Sequence, residues 1–463
     1  MTTPSDMTHG NKRSRRAVLL ALAAGLATIL GLHHLRPAGQ DLQENVVTSP
    51  PCPCHALGDI PERNPLPVTQ NTLASVQYHR DIAPLIHAQC LTCHQAGGIA
   101  PFGLESYIDV ASFAYAISDA VHARRMPPFN VNNQGTCQTF KDARWLSDEE
   151  IATIGRWVAE GFPEGHATTR HPQSKEAPSA RFEADLVFDT GYDYTPTPGP
   201  GGPDSYRCFP VETGLAEDVY ISAFHVQPQT SSQVHHVNLW SVDDPADAER
   251  LLRADGENGS PGFDCGSTAF SGSWIGGWAP GVQPVRWPDE TGIRLPAEGI
   301  LVFEIHYFTS EVQGSDRTKA LLETSSSVTR PVLFGMLDIP NFKLSPGNPQ
   351  ATVSQSFAGE DLPDDFLLLG VIPHMHELGR TLYAEWTGDE ESLCLVDVDR
   401  WNFHWQHFYF YESPIRLSRS EPSEFSLRCA YDTSGLTQKV GSGMSTDEEM
   451  CQVALIYLGE EIE

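Results

Sequence analysis

The segment Cys90-Leu91-Thr92-Cys93-His94 decides the fold of the N-terminal part of this chain, because it has the spacing C-x-x-C-H. Two thiols three residues apart on an opening helical turn can form thioethers with both vinyl groups of one porphyrin, and the adjacent imidazole then lies beneath the iron. A redox-active C-x-x-C pair and half of a zinc site are the alternatives, but no second C-x-x-C or matching histidine pair completes a zinc site. The motif therefore predicts one covalent haem c, held by Cys90, Cys93 and His94.

The residues around this motif predict a small all-α cytochrome c domain over residues 72–165. Ser147 and Glu150 have the spacing of a capping box, which marks the start of a helix. The apolar residues that follow at helical spacing, before Gly161 ends the pattern, are Ile151, Ile154, Trp157 and Val158.

The second axial ligand of the haem iron should follow the motif in sequence. Met126 is the preferred candidate, because its thioether is a soft ligand and Pro127 and Pro128 stiffen its loop. His122 is the second candidate and His87 the third. A methionine in the domain core is the alternative role for Met126.

The bulk composition describes an acidic globular protein. The chain has 463 residues, which suggests about three domains, and a formal net charge of -30. Nucleic acids and anionic membranes attract an excess of Lys and Arg, so the charge argues against both as partners.

The N-terminus resembles a targeting segment. Lys12, Arg13, Arg15 and Arg16 precede an uncharged run from Ala17 to Leu32, which is short for a membrane span. We therefore expect residues 1–35 to be a signal sequence, with an uncleaved membrane anchor as the alternative. Either one places the protein outside the cytoplasm, in the periplasm or at the outer surface, where disulfides persist.

Two linkers and two β domains complete the predicted organisation. Residues 36–71, which include Cys52 and Cys54, and residues 166–185 are rich in proline and polar residues and are expected to be linkers. Residues 186–343 and 344–463 predict two antiparallel, jelly-roll-like β-sandwiches, because strand-like segments alternate with Gly/Pro turns and no amphipathic helix is evident. The segment Trp401–His407 also alternates and is interpreted as a strand, with His404 and His407 as structural residues and a position along a cleft as their alternative.

The β region contains three clusters of side chains that can bind a metal. Adjacent histidines of a strand point to opposite faces, so His235 and His236 can share one ion only on a twisted or bulged strand. Histidines two positions apart share a face, as His374 and His376 do. His306 and Met450 complete the set, and a mixture of imidazole and thioether favours copper over zinc or iron.

The order of these clusters, H-H, H-Y, H-x-H and D-E-x-M-C, resembles the copper type II, ascorbate-dependent monooxygenases. Further similar segments are Tyr206-Arg207-Cys208, Trp278-Ala279-Pro280-Gly281 and Arg428–Thr433. The resemblance covers about residues 195–460 and includes the peptidylglycine α-hydroxylating and dopamine β-monooxygenase branches.

This resemblance implies two copper ions facing each other across a cleft. The electron-transfer copper would bind His235, His236 and His306, and the oxygen-binding copper would bind His374, His376 and Met450. It also implies a Cys429–Cys451 disulfide beside Met450, whereas Cys208 and Cys265 are only a candidate pair and Cys137 and Cys394 have no assigned partner. Met375, between the two histidines, is expected to point to the other face of the sheet.

The implied activity is hydroxylation of a small organic substrate by O₂. Family members commonly take electrons from ascorbate, but here the haem, reduced by an external donor, would supply them. The peptide-processing branch has an arginine two residues before the H-x-H pair, where this chain has Ile372, and an Asn and a Tyr where it has Gln452 and Ala454. These departures argue against a peptidylglycine substrate.

Two other functions remain open at this point. The β domains could bind copper or transfer electrons without oxygenase activity, or they could bind a partner or polymer while the haem senses redox state. Copper-dependent O₂ consumption separates the first alternative from a monooxygenase, and the absence of copper binding would indicate the second.

Overall fold

The computed structural model of the protein describes residues 33–34 and 75–462, except 97, 99, 168–181, 200–203, 266–269, 310–313, 359–364, 389–391, 419–422 and 444–446. The expected signal sequence, apart from His33–His34, and the first linker with Cys52 and Cys54 lie outside the described residues. Among the residues described, no helix has the length and apolar character needed to cross a membrane.

Residues 75–165 contain the helical region. A π-helical turn, Tyr78–Ile82, is followed by α1 (Ala83–Gln89), α2 (Tyr107–Ser112), α3 (Ala114–His122) and α4 (Asp148–Ala159). The predicted capping box is confirmed, since the Ser147 side chain accepts from the backbone N–H of Glu150 and the Glu150 side chain accepts from that of Ser147. The predicted apolar face of α4 lies in a separate small core with Tyr78, Ile82 and Ile86.

The rest of the chain is mostly β-structure, as predicted. The strands are β1 (His33–His34), β2 (Leu186–Asp189), β3 (Asp204–Glu212), β4 (Val219–Gln227), β5 (Val234–Val242), β6 (Phe263–Asp264), β7 (Ser273–Trp278), β8 (Val285–Arg286), β9 (Thr291–Leu295), β10 (Ile300–Phe308), β11 (Lys319–Thr324), β12 (Arg330–Asp338), β13 (Lys343–Leu344), β14 (Ala351–Ala358), β15 (Asp365–His374), β16 (Gly379–Thr387), β17 (Ser392–Val398), β18 (Tyr409–Ser418), β19 (Glu424–Tyr431), β20 (Val440–Gly441) and β21 (Gln452–Leu458).

One helix interrupts this β region, and its absence from the sequence prediction was an error. Helix α5 (Pro245–Ala254) begins at Asp244, whose side chain accepts from the backbone N–H of Asp247, and carries proline in its first turn. Ala248 and Leu251 are its buried residues, so its apolar face is short. The Asp-Pro start was the signal that could have identified it.

The strands form two stacked β-sandwiches. A five-stranded sheet (β6-β3-β10-β5-β7) and a four-stranded sheet (β14-β19-β16-β17) are the outer layers, and β13 pairs with β20. The remaining strands form one long sheet in the order β18-β15-β21-β12-β9-β4-β11-β2, where β1 also pairs with β12 and β8 with β4. The long sheet is a layer of both sandwiches, because the parallel pairing of β12 with β9 joins the strands of one sandwich to those of the other.

The part of the long sheet formed by β12, β15 and β21 is buried on both faces. Along β21, Ala454, Ile456 and Leu458 pack in one core, and Val453, Leu455 and Tyr457 pack in the other. This explains why β21 has a continuous apolar sequence rather than an alternating one. The two sandwiches therefore share a layer, which fixes their relative position.

A segment of the helical region packs on the second sandwich. We name residues 129–145 the docking arm. Val131 bridges to Val398 and Phe140 to Tyr411, and both side chains lie in the core of the second sandwich. Cys137 of the docking arm forms a disulfide with Cys394 of β17. The helical region is thus fastened to the second sandwich by the docking arm and this disulfide.

The other described disulfides are Cys208–Cys265 and Cys429–Cys451. The first joins β3 to the loop after β6, and the second joins β19 to the residue before β21. Cys90 and Cys93 are free thiols.

Candidate functional site

The first group of candidate ligands lies on the central strands of the outer five-stranded sheet. His306 of β10 faces His236 of β5, and the register then shifts so that Tyr307 faces Val234. His235 is the extra residue of this β-bulge, so both adjacent imidazoles turn toward His306. The ligand nitrogens of the three histidines all lie within 4.8 Å of one another.

Two of these rings have a buried nitrogen without a hydrogen-bond partner, Nε2 in His235 and Nδ1 in His306. His306 Nε2 donates to Asp204 Oδ1 at 2.7 Å, while His306 Nδ1 is buried without a hydrogen-bond partner. The Nδ1 atoms of His235 and His236 are 3.2 Å apart. Tyr206 stacks on the His306 ring at 4.1 Å and fixes its plane.

Burial keeps two imidazoles of this group, those of His235 and His236, neutral. Burial, with smaller contributions from His306 and His404, lowers the pKa of His235 to about 3. Burial and the neighbouring histidines also hold the pKa of His236 well below its usual value. A neutral imidazole is a competent metal ligand at neutral pH, and imidazole ligands suit copper.

The second pair of candidate ligands lies at the end of β15. The His374 and His376 ring centroids are 5.2 Å apart. His374 Nδ1 is 2.9 Å from Gln406 Oε1, and His376 Nδ1 is 2.9 Å from the Glu448 carbonyl oxygen. Because these oxygens accept from Nδ1–H, a metal at this pair would bind the Nε2 atoms. Burial lowers the pKa of His374 to about 4, so its ring is neutral.

The backbone of Met450 approaches this pair because of the neighbouring strand. His374 is opposite Gln452 in the β15–β21 ladder, and Met450 precedes Gln452 by two residues. The buried Glu449 carboxylate accepts from the backbone N–H groups of His376, Leu378 and Met450, at 3.0, 2.6 and 3.3 Å. The Cys429–Cys451 disulfide holds the same loop. Met375, in contrast, is fully buried in the core of the second sandwich.

The C-x-x-C-H motif follows α1. Cys90 is the C-cap of this helix, and both thiols are partly exposed. His94 Nδ1 donates to the Phe102 carbonyl oxygen at 3.1 Å. This bond fixes the tautomer that leaves Nε2 for an axial iron bond, so the arrangement fits a c-type haem.

Met126 borders the docking arm. Its side chain is 37% exposed. It lines a small cavity together with Val121, Leu146 and Arg144. Burial raises the pKa of Cys93, and the Arg144 guanidinium opposes this shift. Of the alternative ligands, His122 donates from Nδ1 to the Ser118 carbonyl oxygen at 2.7 Å and packs on α4 beside Gly155.

A functional element that sequence reasoning misinterpreted lies between the two histidine groups. We name residues Trp401–His407 the bridging loop. It contains no strand, and β18 begins only at Tyr409. The predicted strand was wrong because the aromatic side chains face several surroundings rather than one core. The His404 ring lies 5.5 Å from His235, and Phe403 lies 6.0 Å from His376. The density of His and Trp in this segment was the available signal.

The comparisons with known proteins identify the second sandwich. Residues 355–463 match the family model "Copper type II ascorbate-dependent monooxygenase, C-terminal domain". Tyramine beta-hydroxylase of Caenorhabditis briggsae is 21% identical over 68% of this chain and 54% of its own length. Peptidyl-glycine alpha-amidating monooxygenase of Mus musculus is 23% identical over 56% of this chain and 25% of its own length.

Solved structures are only distantly similar. The major capsid protein P2 of bacteriophage PM2 covers 60% of this chain and 98% of its own length, with a TM-score of 0.24 and 10% identity. Residues 355–463 are therefore similar to the C-terminal domain of copper type II ascorbate-dependent monooxygenases, and the predicted similarity to this family is confirmed at that level. The chain spans about half the length of tyramine beta-hydroxylase and a quarter of the mouse relative.

Proposed function

We propose that this protein is a copper monooxygenase that inserts one oxygen atom of O₂ into a C–H bond of a small organic substrate. In this proposal the electrons arrive through a covalent c-type haem in the same chain. The single observation that carries the proposal is the pair of histidine groups, one on each sandwich, in a chain whose residues 355–463 resemble a copper monooxygenase domain.

The two groups have different donor sets, which suits different roles. His235, His236 and His306 would hold the electron-transfer copper, and His374, His376 and Met450 would hold the oxygen-binding copper. When bound, copper would supply one-electron chemistry at the first group and O₂ chemistry at the second. Asp204, Gln406 and the Glu448 carbonyl orient the rings through the nitrogens that face away from the metal.

The haem would be held by Cys90, Cys93 and His94, with Met126 as the second axial ligand. The His94–Phe102 hydrogen bond supports this role, since it leaves Nε2 free for iron. A haem stores one electron, so an external donor must reduce it again within each cycle, and ascorbate is one candidate. The three disulfides support an exported protein, because disulfides persist outside the cytoplasm.

The residues beside the second group favour a substrate without a carboxylate at the site. Ile372 and Ala454 are cross-strand neighbours in the β15–β21 ladder. Gln452, opposite His374, donates to Asp338 at 3.0 Å. Where the peptide-processing enzymes have a cation for the substrate carboxylate, this chain has an apolar pair, so we propose a neutral or cationic organic substrate.

The copper-to-iron ratio of the protein, matured with haem and reconstituted with copper, tests the proposal. We expect two coppers per haem iron in the wild type and one in His374→Ala and Met450→Ala. Met375→Leu is the matched control, because Met375 is a core residue and should keep both coppers. Absence of tightly held copper in the wild type contradicts the monooxygenase mechanism.

A further inference from the structure

The bridging loop contacts both histidine groups. Gln406 accepts from His374, and the Trp401 indole N–H donates to the His376 carbonyl oxygen at 3.0 Å. On the other side, the His404 ring packs edge-on to His235. A continuous row of rings, His235, His404, Phe403 and His376, therefore spans the space between the groups, with neighbouring centroids 5.5, 5.7 and 6.0 Å apart.

The docking arm fixes the conformation of this loop. Asn130 is buried, and its side-chain amide donates to the carbonyl oxygens of Asn402 and Trp405, at 3.1 and 2.9 Å. These are the two residues that close the turn, since Trp405 N–H also donates to the Asn402 carbonyl oxygen at 3.0 Å. Asn130 thus uses both of its amide hydrogens to hold a turn that lies about 270 residues away in sequence.

Arg144 holds the C-terminal end of the same loop. Its Nη2 donates to His407 Nε2 at 3.2 Å and lies 3.5 Å from the Pro280 carbonyl oxygen. Gly281, with a φ of +86°, leaves room for the guanidinium, which a Cβ there would overlap. Because Arg144 also lines the cavity beside Met126, it joins the helical region, the first sandwich and the bridging loop.

We propose that the bridging loop couples the helical region to both candidate copper groups, with Asn130 and Arg144 as the positioning residues that set its conformation. This inference rests on the function proposed above. Among the described contacts, neither Asn130 nor Arg144 has a hydrogen bond to a candidate copper ligand. Both act through loop residues that do contact these ligands, namely Gln406, Trp401 and His404. In this proposal the helical region supports the copper groups from a fixed position, rather than moving on a flexible linker to deliver electrons to them.

Asn130→Ala tests this coupling, with Gln138→Ala as the matched control. Gln138 lies on the same arm and donates to the Cys394 carbonyl oxygen at 2.7 Å, away from the loop. We expect Asn130→Ala to weaken Cu(I) binding at the His374/His376/Met450 group about tenfold, as loss of ligand orientation does, and to change its Cu(II) EPR hyperfine splitting. Gln138→Ala should change neither. Equal affinities and spectra for Asn130→Ala and the wild type overturn the proposal.

Hydrogen exchange of the metal-free protein separates this inference from the proposed function. Asn130→Ala should speed amide exchange in residues 401–407 about tenfold, while Gln138→Ala leaves it at the wild-type rate. If the wild type binds no copper, the proposed function fails, and exchange alone decides whether the arm holds the loop. Unchanged exchange in Asn130→Ala overturns the coupling.

Arg144 gives a second, independent comparison. Arg144→Leu should speed exchange at His407 and Phe408, and Arg144→Lys, which keeps a cationic donor, should restore part of the protection. Equal exchange in the two variants overturns the role of the Arg144–His407 hydrogen bond.

Discussion

Asp204 fixes the tautomer of His306, a candidate copper ligand. It accepts from His306 Nε2 at 2.7 Å and so selects the tautomer with Nδ1 free. Asp204→Asn should therefore lower Cu(I) affinity at the three-histidine group about 10-fold to 100-fold, measured by competition with a chromophoric chelator. Asp218→Asn, which breaks an exposed ion pair with Arg294 on the same sandwich, is the control. An unchanged affinity in Asp204→Asn would show that the hydrogen bond has no orienting role.

His407 makes a residue-scale prediction about pH. Burial, assisted by Arg144, holds its pKa well below the usual 6.5, so the folded protein keeps it neutral while the unfolded chain takes up a proton. The stability that this neutral ring contributes is present above pH 6.5 and is lost as the pH falls toward the folded pKa. His407→Gln keeps a hydrogen-bond acceptor for Arg144 but cannot titrate. The urea midpoint of the metal-free protein should fall less between pH 7 and pH 5.5 in the variant than in the wild type. Equal falls would contradict the buried, neutral state.

At the scale of elements, the docking arm is part of the second sandwich although it is distant in sequence. Phe140 is buried against Tyr409 and Tyr411. Phe140→Ala should lower the free energy of unfolding by about 3–5 kcal/mol, the usual range for truncation of an aromatic core residue. We expect this loss of stability to be measured as faster amide hydrogen exchange in β18. Tyr115→Ala, at a position 68% exposed in the helical region, should leave β18 exchange unchanged. Similar exchange in both variants would mean that the arm does not stabilise the sandwich.

The elements also show what the sequence could predict. The bulge at His235 follows from the alternation of strand side chains, and the α4 capping box is a local pattern, so both could be predicted from the sequence. The docking arm could not be predicted from the sequence, because a loop that supplies Val131 and Phe140 to a remote core has no periodicity of its own. The Cys137–Cys394 pair was missed for the same reason, since spatial proximity and not spacing brings those cysteines together. The ordered ligand clusters indicated the family, but the bridging loop depends on contacts from three separate regions.

At the scale of the whole molecule, the shared sheet should make the two sandwiches unfold together. Leu455 and Ile456 are adjacent on β21, and each is fully buried in a different core. Removing either side chain opens a cavity against the same strand, so Leu455→Ala and Ile456→Ala should each lower the unfolding temperature of both sandwiches. Calorimetry of the copper-free protein should show one β-domain transition that moves down in both variants. Two resolved transitions, each shifted by one variant alone, would mean that the sandwiches are independent and that their candidate copper groups are not held in a fixed relation.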